Sequence, residues 1–407
     1  MAENKDKKVL NVPNIRFKEF KEEWERARLD NFTERILRKN KNNISSLPLT
    51  ISAQYGLVDQ ITFFNKIIAS KDMSNYYLLK KGEFAYNKSY SSDYPWGAIK
   101  RLDNHEQGAL SSLYICFAPQ NNVSSDFLLQ YFESPKWHKE VAEIAVEGAR
   151  NHGLLNISVQ DFFKTHHYIP YTKQEQNKIA TFLSLLDERI ATQNKIIEEL
   201  KKLKSAIIEN VLDNYHDNKM QLGDVGIYIR GLTYSSNDVV EQKGTIVMRS
   251  NNIINGSLLD YDNNVVRVNK QISKEQQLEH EDIVVCMANG SSDLVGKSSF
   301  YDGKCLSPIT VGAFCGIYRS KEPITKWLFQ TNRYRRYIWN SLQGGNGAIA
   351  NINGEDILRM SFSIPDKSKI KHCTKLLSSL DSLIGNEVSL YSKFFQQKQY
   401  LLRQMFI

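Results

Sequence analysis

Several short motifs in the sequence resemble parts of catalytic sites. The stretch from Gly290 to Ser298 reads GSSDLVGKS and resembles a phosphate-binding loop. Five residues separate its two glycines, whereas the Walker A motif requires four, so the stretch does not predict a nucleotide site. Glu241 and Lys243 match half of a nuclease motif, but no suitable Pro-Asp pair precedes them. Neither motif therefore predicts chemistry on this chain.

The remaining chemical signals are weaker. His166 and His167 are adjacent, but no carboxylate or histidine partner stands at metal-site spacing, so we expect them in a strand or loop. An amino-methyltransferase would need an Asn/Asp-Pro-Pro-aromatic motif, and the sequence contains no Pro-Pro dipeptide. No glycine-rich loop for S-adenosylmethionine follows a first strand. We therefore expect no catalytic residue, no metal site and no cofactor on this chain.

The charge of the chain favours a polyanionic partner. The 407 residues carry a formal charge of +8, and the sequence pI is about 9.0. This balance favours nucleic acid, although many soluble proteins are mildly basic for other reasons. Lysine, serine and tyrosine bind phosphates or stack on bases, and arginine and asparagine read guanine and adenine edges. Such residues in polar loops are therefore candidates for nucleic-acid binding.

The candidates fall in five places. Residues 86–101 run from a strand through a polar loop into a second strand, and residues 287–299 repeat that pattern with different side chains. Residues 150–152 lie between glycines, residues 249–252 follow a strand, and residues 333–337 lie on a helix. Ordinary turns, a surface hinge or a solvated helix face are the alternative interpretations. The candidate residues are Tyr86, Asn87, Lys88, Ser89, Tyr90, Ser91, Lys100, Arg101, Arg150, Asn151, Arg249, Asn251, Asn289, Ser291, Ser292, Lys297, Arg333, Arg335 and Arg336.

A long helix is the most regular element that the sequence predicts. Residues 174–215 contain no Gly and no Pro, and their apolar residues recur at spacings of three, four and seven. This spacing places one apolar stripe along a helix, with charged residues on the opposite side. At 1.5 Å per residue such a helix would be roughly 60 Å long. A helix with one apolar stripe needs a partner helix to cover the stripe.

Residues 369–407 have a similar stripe and are the expected partner helix. Gly385 is its one weak point, since glycine costs about 1 kcal/mol relative to alanine inside a helix. The two segments match in order, so that Asp187 corresponds to Asp381, and the match extends into the sequence before each helix. The offset is about 195 residues, nearly half the chain, which predicts two copies of one domain-plus-helix unit.

Short strand-like runs alternate with turns and helices outside these two segments, which predicts an α+β fold. The expected architecture is two globular mixed α/β domains and two long helices. The expected segments are a disordered lead (1–12), the first globular domain (13–170), the first long helix (171–217), the second globular domain (218–365) and the second long helix (366–407).

The cysteines and the apolar runs of the sequence indicate the cellular compartment of the protein. The five cysteines form no CxxC pair, so we expect reduced thiols, mostly in the core. The polar N-terminus MAENKDKK does not resemble a signal peptide. No apolar run approaches the eighteen or so residues of a membrane span. We expect a cytoplasmic protein without a membrane partner.

This layout resembles the specificity subunit of a type I restriction–modification system. The resemblance is carried by the opening VPNIRFKEFKEEW, by the segment from NISVQDFF through the first long helix, and by the restart QLGDVG. It covers the whole chain. The C-terminal copy departs from the family pattern, because KSKIKHCTKLLSSLD lacks the usual EEQ-like start.

The resemblance implies a bacterial DNA-binding protein that performs no chemistry itself. Each globular domain would be a target recognition domain that reads one half of an asymmetric, bipartite site in double-stranded DNA. The long helices would pack antiparallel as a coiled coil, set the unread gap and dock two modification subunits. Those subunits would bind S-adenosylmethionine and methylate adenine, and restriction subunits would bring ATP and magnesium. Two other classes stay open: a coiled-coil scaffold whose domains bind protein, and a self-contained DNA enzyme.

Overall fold

The computed structural model describes residues 10–145, 153–212, 218–342 and 349–407. Residues 1–9, most of the expected disordered lead, lie outside this range. The chain divides into two compact units: unit 1 comprises Met1–Gln193 and Leu390–Ile407, and unit 2 comprises Asn194–Ser389. Each unit therefore contains one globular part and a segment of both long helices.

Unit 1 combines short strands with helices, as expected for an α+β fold. Its strands are β1 (Glu25–Arg28), β2 (Thr33–Arg35), β3 (Pro48–Ser52), β4 (Gly56–Asp59), β5 (Tyr77–Lys80), β6 (Phe84–Asn87), β7 (Ala98–Arg101), β8 (Gln107–Leu110), β9 (Ile115–Pro119) and β10 (His166–Ile169). Its helices are α1 (Gln60–Phe64), α2 (Ser125–Glu133), α3 (His138–Ile144), α4 (Val159–Lys164) and the first part of α5 (Lys173–Leu212).

The strands of unit 1 form two four-stranded sheets and a two-stranded ribbon. One sheet has the order β2-β9-β6-β7 and is antiparallel. The other has the order β4-β3-β8-β5 and contains one parallel pair, β3 with β8. The ribbon joins β1 to β10. Aromatic side chains fill the core between the first sheet and the helices: Phe84 and Phe117 stack at 5.4 Å, and Phe162 stacks on Tyr86 at 4.8 Å.

Unit 2 has its own set of elements. Its strands are β11 (Asn218–Gln221), β12 (Gly226–Arg230), β13 (Val239–Val240), β14 (Thr245–Met248), β15 (Val266–Val268), β16 (Ile283–Cys286), β17 (Ala288–Asn289), β18 (Ser298–Phe300), β19 (Ile309–Val311), β20 (Cys315–Ser320), β21 (Ala350–Asn351) and β22 (Ser361–Ile364). Its helices are the second part of α5, α6 (Leu222–Val225), α7 (Thr325–Leu328), α8 (Asn332–Ser341), α9 (Gly354–Leu358) and most of α10 (Lys367–Gln404).

The first sheet of unit 2 repeats that of unit 1, and the second sheets of the two units share three neighbouring strands. The order β12-β20-β16-β18 corresponds to β2-β9-β6-β7, and the order β13-β15-β14-β19 again contains one parallel pair, β14 with β19. The ribbon of β11 and β22 corresponds to that of β1 and β10. The sequence prediction of two copies of one scaffold is therefore confirmed.

In unit 1 the start of α5 contacts the end of α10. Asp187 forms an ion pair with Lys398, and the Arg189 guanidinium lies 4.5 Å from the centre of the Phe394 ring. Higher numbers on α5 thus meet lower numbers on α10, which makes the pairing antiparallel. Leu183 and Leu402 belong to the same buried core, so this helix pair forms part of the hydrophobic core of unit 1.

In unit 2 the end of α5 contacts the start of α10 in the same antiparallel sense. Lys204 and Asp381 form an ion pair at 2.7 Å, and Ile208 and Leu377 belong to one buried core. The predicted helix continues through Gly385 without a break. A Cβ built on this glycine meets no atom within 4 Å, so the packing does not require glycine there.

No helix in the described part of the chain is long and apolar enough to cross a membrane. All five cysteines are free, and Cys116, Cys286 and Cys315 are buried, as expected for core thiols.

Candidate nucleic-acid interface

The polar loop of unit 1 connects β6 to β7. At its start, Ser89 N donates a hydrogen bond to Asn87 Oδ1 at 3.0 Å. At its end, Gly97 has φ +75°, and a Cβ there would stand 2.1 Å from the Asn87 carbonyl oxygen, so only glycine fits. The loop therefore has a defined shape, and it leaves Ser89, Tyr90 and Ser91 exposed.

The turn before β9 lies at the same end of the sheet. The register pairs Tyr86 with Ile115, so the end of β6 faces the start of β9. The turn comprises residues 111–114, and its Leu113 side chain is 75% exposed. Lys88 and Leu113 line one cavity of about 200 Å³. The structure thus places the turn beside the polar loop.

A third segment of unit 1 lies against the polar loop. Tyr90 N donates to the Gly153 carbonyl oxygen at 3.0 Å, and Leu155 N donates to the Lys88 carbonyl oxygen at 2.9 Å. The Lys88 ammonium donates to a further backbone carbonyl at 3.4 Å. The candidates Arg150 and Asn151 precede this segment in the sequence, but they lie outside the described residues.

Three candidates of unit 1 do not contribute to this loop surface. Tyr86 is fully buried, and its hydroxyl donates to the Trp96 carbonyl oxygen at 2.9 Å, so its selection as a contact was wrong. Burial raises the pKa of this hydroxyl. Lys100 pairs with Glu133 of α2 at 2.6 Å, and Arg101 pairs with Asp126 of α2 at 2.7 Å. Both cations lie toward the other end of β7, where these carboxylates neutralise them.

The polar loop of unit 2 connects β16 to β18 and has the same construction. Ser291 N donates to Asn289 Oδ1 at 3.0 Å, which repeats the bond between Ser89 and Asn87. Gly296 ends the loop with φ +78°, and a Cβ there would stand 2.5 Å from the Ile338 side chain of α8. Ser291 and Ser292 are exposed, and Asn289 and Lys297 are half-buried.

A turn and a further segment also adjoin the loop of unit 2. Met287 N and Ala288 N both donate to the Phe314 carbonyl oxygen, at 2.8 and 3.1 Å. Phe314 is 62% exposed and lies in the turn between β19 and β20. Asn289 pairs with Ala350 in the β17–β21 ribbon. The arrangement of loop, turn and following segment therefore matches that of unit 1.

The cluster after β14 lies next to the same turn. Arg249, Asn251 and Phe314 line one cavity of about 450 Å³. The Arg249 guanidinium donates to the Asn264 carbonyl oxygen at 3.3 Å, while its Nε is buried and has no hydrogen-bond partner among the described residues. Asn251 is exposed. The structure thus brings together two candidate segments, 249–252 and 287–299, that are separate in the sequence.

The three arginines of α8 have different surroundings. Arg335 donates to the carbonyl oxygens of Val295 at 3.2 Å and Asp293 at 3.3 Å, so its guanidinium supports the polar loop from behind. Arg333 donates to Ser363 Oγ at 3.3 Å, on β22. Arg336 is exposed. The described contacts therefore connect Arg335, one of these three arginines, to the polar loop.

The structure shows where the sequence motifs that resemble catalytic sites lie. The stretch from Gly290 to Ser298 leads into strand β18, whereas a phosphate-binding loop leads into a helix. His166 and His167 lie on strand β10, as expected. Among the described residues, His, Cys, Asp and Glu form no group of three that could hold a metal ion.

The turns at residues 111–114 and 312–315 were not among the segments predicted from the sequence. Each turn contains a large apolar residue between two strands, and turns are normally polar. A large apolar residue in a turn of each copy was therefore the sequence feature that could have identified these turns.

Comparisons with known proteins extend the resemblance. No protein-family model matches the chain. The chain is 31% identical over 185 residues to the "Type I restriction enzyme EcoKI specificity subunit" of Escherichia coli (strain K12). It is 30% identical over 183 residues to the "Type I restriction enzyme StySPI specificity subunit" of Salmonella potsdam. Each match covers 43% of this chain and 38% of the relative.

The fold matches solved structures over nearly the whole chain. The S subunit of a type I restriction–modification system from M. genitalium aligns with a TM-score of 0.56 and 13% identity, covering 97% of this chain and 99% of that chain. A chain from a structure that describes complex assembly and conformational transition of the type I R-M system aligns with a TM-score of 0.52 and 12% identity. That alignment covers 93% of this chain and 96% of the other. The chain therefore shares its fold with solved S subunits of type I restriction–modification systems, and 43% of it is similar in sequence to two curated specificity subunits.

Proposed function

We propose that this chain is the DNA sequence-specificity subunit of a type I restriction–modification complex. One observation carries the proposal: the same scaffold occurs twice, with equivalent loops of different composition at the same end of each sheet. In unit 1 the residues after Asn87 read KSYSSDYPWG, and in unit 2 the residues after Cys286 read MANGSSDLVG. Different side chains on one scaffold are what two readers of different half-sites require.

The loop construction supports direct reading of base edges. Side-chain hydrogen bonds and a positive-φ glycine hold each loop, and Arg335 fixes the loop of unit 2 from behind. A rigid loop loses little conformational entropy when it binds DNA. Its exposed serines and nearby asparagines can then donate to and accept from the major-groove edges of bases.

The helix pair is proposed to set the unread gap between the half-sites. Two readers on one face of B-DNA favour a separation near one turn, roughly 34 Å, or a multiple of it. A paired helix holds such a spacing, whereas a flexible linker does not. The mirrored ion pairs, Asp187 with Lys398 and Asp381 with Lys204, support a fixed register between the two helices.

The chemistry is proposed to reside on partner subunits. Two modification subunits would dock on this chain, bind S-adenosylmethionine and methylate adenine, and restriction subunits would bind ATP and magnesium. This chain would contribute the DNA contacts and no catalytic residue. The complex would act on cellular DNA in the cytoplasm, where the five free cysteines would stay reduced.

Mapping of methylated adenines tests the proposal. The chain is produced with its modification partner in cells that lack other adenine methyltransferases, and the genomic DNA is sequenced for methylated adenine. We expect methylation confined to one asymmetric bipartite sequence with a constant gap. Methylation without sequence preference would favour the protein-binding scaffold, and methylation or cleavage by this chain alone would favour the self-contained enzyme.

A further inference from the structure

The turns beside the two polar loops share an unusual feature. In unit 1, Tyr114 N donates to the Ser111 carbonyl oxygen at 3.3 Å, and in unit 2, Cys315 N donates to the Gly312 carbonyl oxygen at 2.8 Å. Each bond closes a four-residue turn, and the third residue of each turn is large, apolar and exposed. This residue is Leu113 in unit 1, 75% exposed, and Phe314 in unit 2, 62% exposed.

Chance does not readily explain why both turns expose a large apolar side chain at the same place. Single exposed apolar residues are common on protein surfaces, but turns favour Gly, Pro, Asn, Asp and Ser. Both turns precede corresponding strands, β9 and β20, and both adjoin a candidate loop. An apolar side chain at the same place in two units of different sequence indicates a role common to both units.

The surroundings of Phe314 indicate what it contacts. Arg249 and Asn251 line the same cavity, and the backbone N–H groups of Met287 and Ala288, just before the polar loop residues, donate to the Phe314 carbonyl oxygen. Such side chains read the polar atoms of base edges in the major groove. The apolar group that base edges present in that groove is the thymine methyl group, and an exposed Leu or Phe amid polar readers is suited to bind it.

We propose that Phe314 and Leu113 are specificity-determining residues, each making an apolar contact with a thymine methyl group in the half-site read by its own unit. The proposal rests on the proposed function, because it requires that both units bind DNA. Contact with the methyl group would bury Phe314 surface that the free chain exposes to water, and this burial would favour binding. Thymine would therefore be favoured over uracil, which lacks only the methyl group.

Uracil substitution tests the contact one methyl group at a time. Binding of the complex with modification subunits is measured on the mapped site and on sites in which each thymine in turn is replaced by uracil. For the unsubstituted chain we expect roughly fourfold weaker binding at one position in each half-site, the effect of one buried methyl group. In Phe314→Ala that sensitivity should disappear in one half-site, and in Leu113→Ala in the other.

Leu306→Ala is the matched control, because Leu306 is an exposed apolar residue of unit 2 before β19, away from the turn that follows this strand. It should keep the full sensitivity to uracil. Phe314→Ala with unchanged sensitivity at every position would overturn the inference while leaving the proposed function intact. A complex of the unsubstituted chain that binds all sequences equally would instead overturn the proposed function, and the inference with it.

Discussion

His167 is held neutral inside unit 1 by two hydrogen bonds of opposite sense. The Thr165 hydroxyl donates to the Phe162 carbonyl oxygen at 2.7 Å, so its oxygen accepts from His167 Nε2 at 2.8 Å. The Tyr131 hydroxyl then donates to Nδ1 at 2.8 Å. Burial, with a smaller contribution from His166, lowers the pKa of His167 to about 3.

This histidine should make unit 1 sensitive to acid. The unfolded chain binds a proton at His167 below pH 6.5, whereas the folded chain does not until about pH 3. The contribution of neutral His167 to the free energy of unfolding is therefore complete above pH 6.5. It falls by about 1.4 kcal/mol for each pH unit below that value. Denaturant unfolding of unit 1, followed between about pH 6 and pH 4.5, measures this slope.

His167→Gln is the control, because glutamine keeps a donor and an acceptor without titrating. Its slope should be smaller, and the part that remains should come from groups such as His138, whose pKa burial also lowers. Equal slopes for the two proteins would show that His167 is not the group responsible.

The long helices carry a buried ionic cluster in unit 2. Asp381 accepts from Lys204 at 2.7 Å, from Lys326 at 3.1 Å and from the Trp327 indole at 3.2 Å. The side chains of Lys204 and Asp381 are 9% and 12% exposed. Burial lowers the pKa of Lys204, and Asp381 acts against that shift. The equivalent acid of unit 1, Asp187, is 39% exposed.

Removal of the Asp381 charge should therefore destabilise unit 2 more than removal of the Lys204 charge. Asp381→Asn leaves two buried ammonium groups without their carboxylate, and we expect a loss of about 3 kcal/mol in the unfolding free energy of unit 2. Lys204→Met leaves Asp381 paired with Lys326 and should cost less, about 1 kcal/mol. Denaturant unfolding measures both. The matched control, Asp187→Asn, should cost under about 1 kcal/mol because water screens that pair. Equal costs for the two aspartates would contradict this account.

Gly385 offers a stabilising change in α10. It lies inside the helix, and an added Cβ meets no atom within 4 Å. Gly385→Ala should raise the unfolding free energy by about 0.5–1 kcal/mol, since alanine loses less backbone entropy in a helix. Gly354→Ala is the contrasting control: its Cβ would stand 2.2 Å from the Tyr228 ring, so it should destabilise. If Gly385→Ala instead lowers the free energy of unfolding, the open space beside Gly385 has a structural role.

Elements with strong periodicity, and the pairing of the two long helices, could be predicted from the sequence, whereas other contacts between distant segments could not. The apolar stripes predicted both long helices, which the structure gives as Lys173–Leu212 and Lys367–Gln404. Phe182 fits the apolar spacing of the first helix, but it is 39% exposed and packs edge-on against Phe17. Periodicity places a residue on a face of the helix, but it does not specify how far the neighbouring surface extends.

The polar loops show the same limit. The sequence showed a strand, a polar loop, a glycine and a second strand in both copies, and the structure gives these glycines, Gly97 and Gly296, a positive φ. Tyr86 belonged to the buried strand before the loop, and its side chain points into the aromatic core. Burial of a tyrosine depends on partners such as Phe162, far along the chain, which local composition does not reveal.

At the scale of the whole molecule, duplication is the central feature. Each unit has one antiparallel four-stranded sheet of the same order, a second sheet with one parallel pair, the same ribbon before a long helix, and an aspartate–lysine pair between the helices. The start of α10 differs from that of α5. Glu175 of α5 is buried and accepts from Arg16 at 2.7 Å, whereas Lys369 stands at the corresponding place of α10. The copies thus share their scaffold and differ in local detail.

The proposed spacer role of the two long helices leads to a prediction about the unread gap between the half-sites. Four residues inserted near Ala191 add about 6 Å of helix and rotate the following part by about 40°. We expect a longer unread gap, or loss of methylation if the partner helix cannot follow. Mapping of methylated adenines in cells carrying the insertion measures the gap, and full activity with an unchanged gap would count against the spacer.

The most direct test of the central claim is an exchange of one reader. Residues 14–155 are replaced by the corresponding domain of a related specificity subunit, and methylated adenines are mapped with the modification partner present. We expect one half of the methylated sequence to change and the other half to stay the same. A change in both halves, or in neither, would contradict the claim that each unit reads its own half of the site.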